Sequence, residues 1–229
     1  MERGLYIAAT GMVAEMVRQD QIANDLANAS TPGYKSDRST QSSFGEILLS
    51  NTVSGQPIGA LGLGAQIDRI VMDGSPAPIR DTGEPLDFAI QGDGWFGVQT
   101  PQGVRYTRNG QFALSPQGIL IDGMGNPVLG RGGGPVRAAR DGSVDPALLG
   151  VFNVTNPRKV GDSYVTGAAG GQATGEVRAG ALEGSNAEPS RSMVDMISSF
   201  RAFEAGQRVV RTIDETLQKA ANQVGSTGG

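Results

Sequence analysis

The chain contains no cysteine and no histidine. The first absence removes disulfides, zinc–thiolate sites and thiol nucleophiles together. The second removes the commonest general base and the commonest metal ligand. An enzyme built from this sequence would have to work with carboxylates, lysine, tyrosine or serine alone. No block of basic residues stands out, and the formal net charge is −4, from 19 basic and 23 acidic residues. Nucleic-acid binding and a polybasic membrane contact therefore have little support. No apolar run approaches the roughly 20 residues that span a bilayer. Met1-Glu2-Arg3-Gly4 lacks the basic region, apolar stretch and small-residue cleavage site of a secretory signal. A route out of the cytosol, if there is one, is expected to be a different one.

Aromatic residues are also scarce, at 5%, whereas glycine is abundant, with 35 among 229 residues. That glycine load suits a turn-rich β region better than a helical protein. Two helical runs nevertheless lie at the extremities of the sequence. The last, Arg191 to Val224, places Met193, Met196, Phe200, Phe203, Gln207, Val210, Asp214, Leu217, Ala221 and Val224 at alternating steps of three and four. That is the a/d seam of a coiled coil. Gln207 and Asp214 interrupt it, as register-setting polar residues do. The first run, from Leu5 to about Asn28, repeats the pattern with Leu5, Ala9, Met12, Met16, Gln19, Ala23 and Leu26. The simpler alternative is two ordinary core helices of one globule. The turn Asn28-Ala29-Ser30-Thr31-Pro32-Gly33-Tyr34 ends the first helix. Ser190, after Pro189, is the expected N-cap of the last.

Between the helices the period changes. Lys35 to about Ala65 is polar and Ser/Gly-rich, with one apolar patch at Phe44, Ile47, Leu48 and Leu49. It reads as an extended connector holding a short helix or an adhesive turn. From Gln66 to Gly184 the period is two. Strands are expected at 66–71, 86–90, 95–99, 104–107, 118–121, 127–129 and 150–154, and a small-residue loop from Gly167 to Gly175. Turn pairs such as Asp93-Gly94, Asn109-Gly110 and Asp122-Gly123 separate the strands, so an antiparallel β domain is predicted.

Two motifs suggest chemistry and fail on context. Gly92-Asp93-Gly94-Trp95-Phe96-Gly97 has the glycine spacing of a dinucleotide loop, but the residues after it alternate like a strand where a helix N-terminus is needed. Asp81-Thr82-Gly83 matches the tripeptide of an aspartic protease. That chemistry needs two carboxylates sharing a proton, and a homodimer would have to supply the second. A turn is the simpler reading. Trp95, the one tryptophan, is expected to anchor the β core or an interface.

Three stretches together resemble a known family. The first runs from Ala8-Ala9-Thr10-Gly11-Met12 through Ile22-Ala23-Asn24-Asp25-Leu26-Ala27-Asn28 to Pro32-Gly33-Tyr34-Lys35. The second is Leu86-Asp87-Phe88-Ala89-Ile90-Gln91-Gly92-Asp93-Gly94-Trp95-Phe96 with Tyr106-Thr107-Arg108-Asn109-Gly110. The third is Leu182-Glu183-Gly184-Ser185-Asn186 with Met193 to Ile197 and Arg201 to Glu204. The chain is similar to the bacterial flagellar axial proteins, within them the rod and hook proteins of the basal body. Gly94-Trp95, Gly134-Pro135-Val136, Asp141-Gly142-Ser143-Val144 and Asn156-Pro157 resemble proximal-rod features, whereas Leu61-Gly62-Leu63-Gly64 is closer to the distal rod.

The resemblance implies a structural subunit that is not an enzyme and has no cofactor, metal or small-molecule substrate. Its partners would be copies of itself, other rod and hook proteins and the flagellar export apparatus, at the extracytoplasmic level of the basal body. The expected fold is α+β. Terminal helices pair as a coiled coil, in segments 1–34 and 185–229, and residues 35–65 connect them to a central antiparallel β domain at 66–184. The expected assembly residues are Leu5, Met12, Met16, Leu26, Phe200, Phe203, Val210 and Leu217. The matching family motif positions are Asn24, Asn28, Pro32, Gly33, Tyr34, Gly94, Trp95, Ser185 and Asn186. Two other readings stay open: a carboxylate-dependent hydrolase using Asp81 in a homodimer, and a β-rich binding module with helical oligomerisation ends.

Overall fold

A computed structural model describes residues 2–43, 45–50, 56–161 and 163–226. The fold is α+β, with one helix at each extremity and strands between. Helix α1 (Glu2–Ala27) is followed by β1 (Asp37–Ser43), β2 (Glu46–Ser50), β3 (Pro57–Gly62), β4 (Ala65–Met72), β5 (Ile79–Asp81), β6 (Phe88–Gln91) and β7 (Trp95–Thr100). Next come β8 (Gly103–Thr107), β9 (Ala113–Leu114), β10 (Leu120–Ile121), β11 (Val128–Leu129) and a single 3₁₀ turn at Pro146–Leu148. Strands β12 (Val151–Val160), β13 (Tyr164–Gln172), β14 (Glu176–Ala179) and β15 (Ala181–Glu183) lead to helix α2 (Pro189–Ser226).

The chain divides into two compact units, one of Met1–Asn24, Arg38–Ile70 and Pro189–Gly229, the other of Asp25–Asp37 and Val71–Glu188. In the first unit α1 and α2 run antiparallel in contact at three levels. A Cβ on Gly4 would lie 3.4 Å from Ile213, and one on Gly206 would lie 2.7 Å from Met12 Cγ. Between them Ser199 Oγ donates to Glu15 Oε2 at 2.5 Å. Small residues at these points let the helix backbones approach. Strands β1 and β4 pair with each other, and β2 and β3 form a hairpin, Ile47 opposite Leu61 and Leu49 opposite Gly59.

In the second unit β7 pairs with β8, β8 with β13, β13 with β12 and β12 with β7, so four antiparallel strands close on themselves. Strand β7 is buried on both faces from Trp95 to Val98, so successive residues Trp95 and Phe96 enter different clusters. Phe88, Phe96, Phe112, Leu120, Val128, Leu149 and Val151 form the main core, with Trp95, Tyr106, Val154 and Val165 in a second cluster. Phe96 meets Phe112 edge to face, 5.3 Å between centroids.

Three expectations differ from the structure. The stretch 35–65 holds the hairpin β2–β3, because its two short apolar runs satisfy their backbones against each other; Phe44 lies outside the described residues. Residues 167–172 belong to β13. Their small size hides the alternation, and it is required, since a Cβ on Gly167 would overlap Val154 of the paired strand. Helix α2 begins at Pro189, so Ser190 lies inside the first turn. The fixed φ of proline suits the first helical position, where its missing N–H costs nothing.

Candidate assembly surface

The sequence pattern placed a seam on each terminal helix, and the structure shows which side of each helix is covered within the chain. On α1 the positions Gly4, Ala8, Gly11, Glu15, Arg18, Ile22 and Asp25 are buried or half-buried; on α2 so are Ser192, Met196, Ser199, Phe203, Gly206, Val210 and Ile213. Both series step by four and three. The covered side of α1 also takes in Ala9, Met12, Gln19 and Leu26 of the apolar series beginning at Leu5, and leaves Leu5, Met16 and Ala23 exposed. The covered side of α2 shares Met196, Phe203 and Val210 with the series beginning at Met193, and uses Ser199 and Gly206 where that series has Phe200 and Gln207.

The apolar residues displaced from the covered side face outward. Leu5, Tyr6, Val13, Met16 and Val17 are exposed along α1, Val13 by 61%; Met193, Val194, Ile197 and Phe200 are exposed along the first turns of α2, Val194 by 65% and Phe200 by 53%. Met12 packs against Gly206, and Leu26, Phe203 and Val210 are half-buried. Because Gly4 stands opposite Ile213, α2 continues past the level of Gly4, near the start of α1, for thirteen residues, to Ser226. Leu217 lies in this overhang and is 41% exposed. At 1.5 Å per residue the overhang is roughly 20 Å long. Of the eight candidate assembly residues, then, four are exposed in the single chain and four are half-buried in it.

The motif positions lead to a second arrangement, inside the β-rich unit. Glu183 is 1% exposed, yet it is charged. Its Oε1 accepts from Lys35 Nζ at 2.6 Å and from the Ala77 amide at 3.1 Å, and its Oε2 accepts from Arg108 at 2.9 Å. Lys35 also donates to the Ser75 carbonyl at 2.7 Å, and Arg108 to the Gly92 carbonyl at 2.8 Å. The Arg108 guanidinium lies over Trp95, 5.5 Å from the ring centroid. A buried ion is tolerated only when paired and hydrogen-bonded, and these contacts meet that requirement for Glu183 and Lys35, while Arg108 keeps one buried nitrogen, Nε, without a hydrogen bond. Burial still holds the Lys35 ammonium below its ordinary pKa, against the pull of Glu183.

Around this node the backbone explains the motif glycines and asparagines. Gly33 has φ +68°, and a Cβ there would overlap the Arg108 backbone. Its amide donates to the Glu183 carbonyl at 2.9 Å, and the Asn186 amide to the Tyr34 carbonyl at 3.2 Å. Asn186 Oδ1 accepts from the Ser36 amide at 2.6 Å, and its Nδ2 donates to the Asp73 carbonyl at 2.8 Å. Tyr34 is fully buried and donates to Asp25 at 2.8 Å, while Lys159 Nζ sits 3.9 Å over its ring. Burial pushes the Asp25 carboxyl above its ordinary pKa in spite of the Tyr34 bond. Asn28 accepts from Thr31 Oγ1 at 3.1 Å in the turn, beside half-buried Pro32; Ser185 Oγ accepts from the Ala187 amide at 3.1 Å. Gly94 is buried, and a Cβ there would collide with Val151 and Ala173. Asn24 is exposed.

Profiles of known families match three parts of the chain. Residues 5–35 match "Flagella basal body rod protein", 89–167 match "Flagellar hook protein FlgE/F/G D1 domain", and 178–224 match "Flagellar basal body rod FlgEFG protein C-terminal". The chain is 32% identical to the flagellar basal-body rod protein FlgF of Mesorhizobium japonicum, over 99% of both chains. It is 30% identical to FlgG of Bacillus subtilis, over 97% of this chain and 99% of the relative, and 29% identical to FlgF of Salmonella typhimurium, over 98% of each. The chain belongs to the flagellar basal-body rod protein family.

It is therefore a structural rod subunit, located in the flagellum, and not an enzyme. The hydrolase alternative has no support in the fold. Asp81 ends β5 on the surface, its side chain 70% exposed, and pairs with Arg178 at 2.7 Å. The glycine-spaced stretch 92–97 runs into β7, with no helix to receive a pyrophosphate. In this rod protein the three resembling stretches each supply one charge of the buried node: Lys35, Arg108 and Glu183. Sequence reading missed that node, because each of its residues looked like an ordinary surface charge in its own neighbourhood.

Proposed function

We propose that the chain polymerises through its terminal helices into part of the rod, the drive shaft of motility. The observation that carries this is the pair of outward apolar stripes, Tyr6–Val13–Met16 on α1 and Met193–Ile197–Phe200 on α2. Burying apolar area contributes about 25 cal/mol per Å². A single chain leaves these stripes in water, and neighbouring copies would cover them. The stripes lie on different helices, so a contact between them is heterologous. Repeated without closure, it generates a helical tube. The overhang of α2 past the start of α1 supplies a surface that reaches the next subunit along the axis.

In this reading α1 and α2 pair as a coiled coil through Met12, Phe203 and Val210, while Leu5, Met16, Phe200 and Leu217 turn toward other subunits. Segments 1–34 and 185–229 form the inner tube, and 35–65 connects them to the β domain at 66–184. The subunit leaves the cytosol through the flagellum-specific export apparatus and joins other rod and hook proteins at the level of the periplasm or cell wall. The proximal position is favoured by the Gly94-Trp95 and Asn156-Pro157 stretches. The test is Val13→Asp and Phe200→Asp, examined separately. Both substitutions fall on exposed residues, so the melting temperature should hold while incorporation into purified rods is lost. Normal rods containing either variant would refute the proposal.

A further inference from the structure

We infer that Glu183 is a positioning residue for assembly: its carboxylate holds the chain leaving α1 and the chain about to enter α2 at a fixed spacing. The inference rests on the rod reading and specifies how a rod subunit presents its ends. Glu183 lies six residues before Pro189, and its partner Lys35 lies eight residues after Ala27. Through its two oxygens the carboxylate joins Lys35, on the segment that leaves α1, to Arg108, which is anchored on the β core by the Gly92 carbonyl and the face of Trp95. Ala77, on the segment returning from β4, is held by the same Oε1.

Alongside the charges, residues 33–36 and 183–186 are laced together by Gly33 N to Glu183 O, Asn186 N to Tyr34 O and Ser36 N to Asn186 Oδ1. The segments are pressed close, since a Cβ on Gly33 would enter the Arg108 backbone. A buried ion pair is weak support for stability compared with apolar packing, and its best-attested use is to specify geometry. Here it specifies where the two helix-bearing ends of the chain depart from the β core.

The arrangement allows positioning to be separated from folding. Lys35→Met leaves Arg108 and Glu183 as a balanced pair, so the core keeps its anchor while the segment after α1 loses its charged tie and keeps only the hydrogen bonds of Gly33, Tyr34 and Ser36. Three readouts are taken on the full chain: melting of the β-rich unit, the rate of proteolysis between residues 28 and 37, and the amount of chain in purified basal bodies. The expected result for Lys35→Met is an unchanged melting temperature, cleavage faster by about tenfold or more, and incorporation lower by a similar factor. Lys35→Arg, which keeps the charge, should recover most of both. An unchanged cleavage rate overturns the inference. So does unimpaired incorporation of a chain whose segment is released, or a loss of incorporation that merely tracks a loss of folded protein. Absence of the wild-type chain from basal bodies would instead sink the rod reading. The cleavage comparison, made on soluble protein, would still decide whether Glu183 holds the segment.

Discussion

Gly206 of α2 and Met12 of α1 are packed so closely that a Cβ on the glycine would stand 2.7 Å from the methionine Cγ. Glycine inside a helix costs about 1 kcal/mol relative to alanine. Here the missing methyl group is what lets the two helices approach. Gly206→Ala gains propensity and displaces Met12, and these effects nearly cancel. Gly206→Val should separate the helices at a cost of about 1–3 kcal/mol, the usual range for overpacking. The chain has no native cysteine, so Glu15→Cys with Ser199→Cys provides a clean readout. That pair should oxidise readily in the wild-type background and poorly with Gly206→Val; equal yields would contradict the packing described.

A second glycine tests the β-rich unit. A Cβ on Gly110 would fall inside the Phe88 carbonyl, and Phe88 N donates to the Gly110 carbonyl at 3.0 Å. Neither backbone can move without breaking the other. Gly110→Ala should therefore destabilise this unit by more than about 4 kcal/mol, in the exceptional range for one substitution. Urea denaturation measures it, and a loss below about 1 kcal/mol would show that the site relaxes.

Tyr164 donates a short hydrogen bond to Asp122 and accepts one from Asn126 at 3.0 Å. Burial, reinforced by the Asp122 bond, pushes its phenol from 10.0 up to about 12. The folded protein then holds this proton more tightly than the unfolded chain. The stability it contributes is full below pH 10 and is lost as pH rises toward 12. Tyr164 should ionise late in an ultraviolet titration, and Tyr164→Phe should remove that late step. Persistence of the step in the variant would assign it elsewhere.

Asp25 is an acid whose folded pKa is raised above its ordinary 3.8 by burial. The folded state therefore favours the protonated form, and stability falls as pH rises through the folded value. Asp25→Asn keeps an oxygen to accept from Tyr34 and removes the buried charge. It should be more stable than wild type near neutral pH and no different below 3.8. Denaturation curves at the two pH values check this, and equal destabilisation at both would contradict it.

Both terminal helices were legible because their periodicity is local and long. Their covered sides were not, since the choice between neighbouring faces depends on Gly206 and Ser199, small residues that an apolar pattern passes over. The strands around the core could be read from alternation and from turns such as Asp93-Gly94. Residues 167–172 could not, because Gly and Ala carry no alternation signal although they pair with β12. The buried node was illegible for a different reason. Glu183 meets partners 148 and 75 residues away in sequence, and only the fold brings them together.

The central claim is that this chain is built into the rod through its terminal helices. Its most direct test is high-resolution imaging of basal bodies purified from the bacterium that produces the chain, with the subunit identified by mass spectrometry. The account predicts this chain within the rod, with the α1 stripe at Val13 and the α2 stripe at Phe200 covered by neighbouring subunits. A chain absent from the rod, or present with both stripes facing solvent, would contradict it.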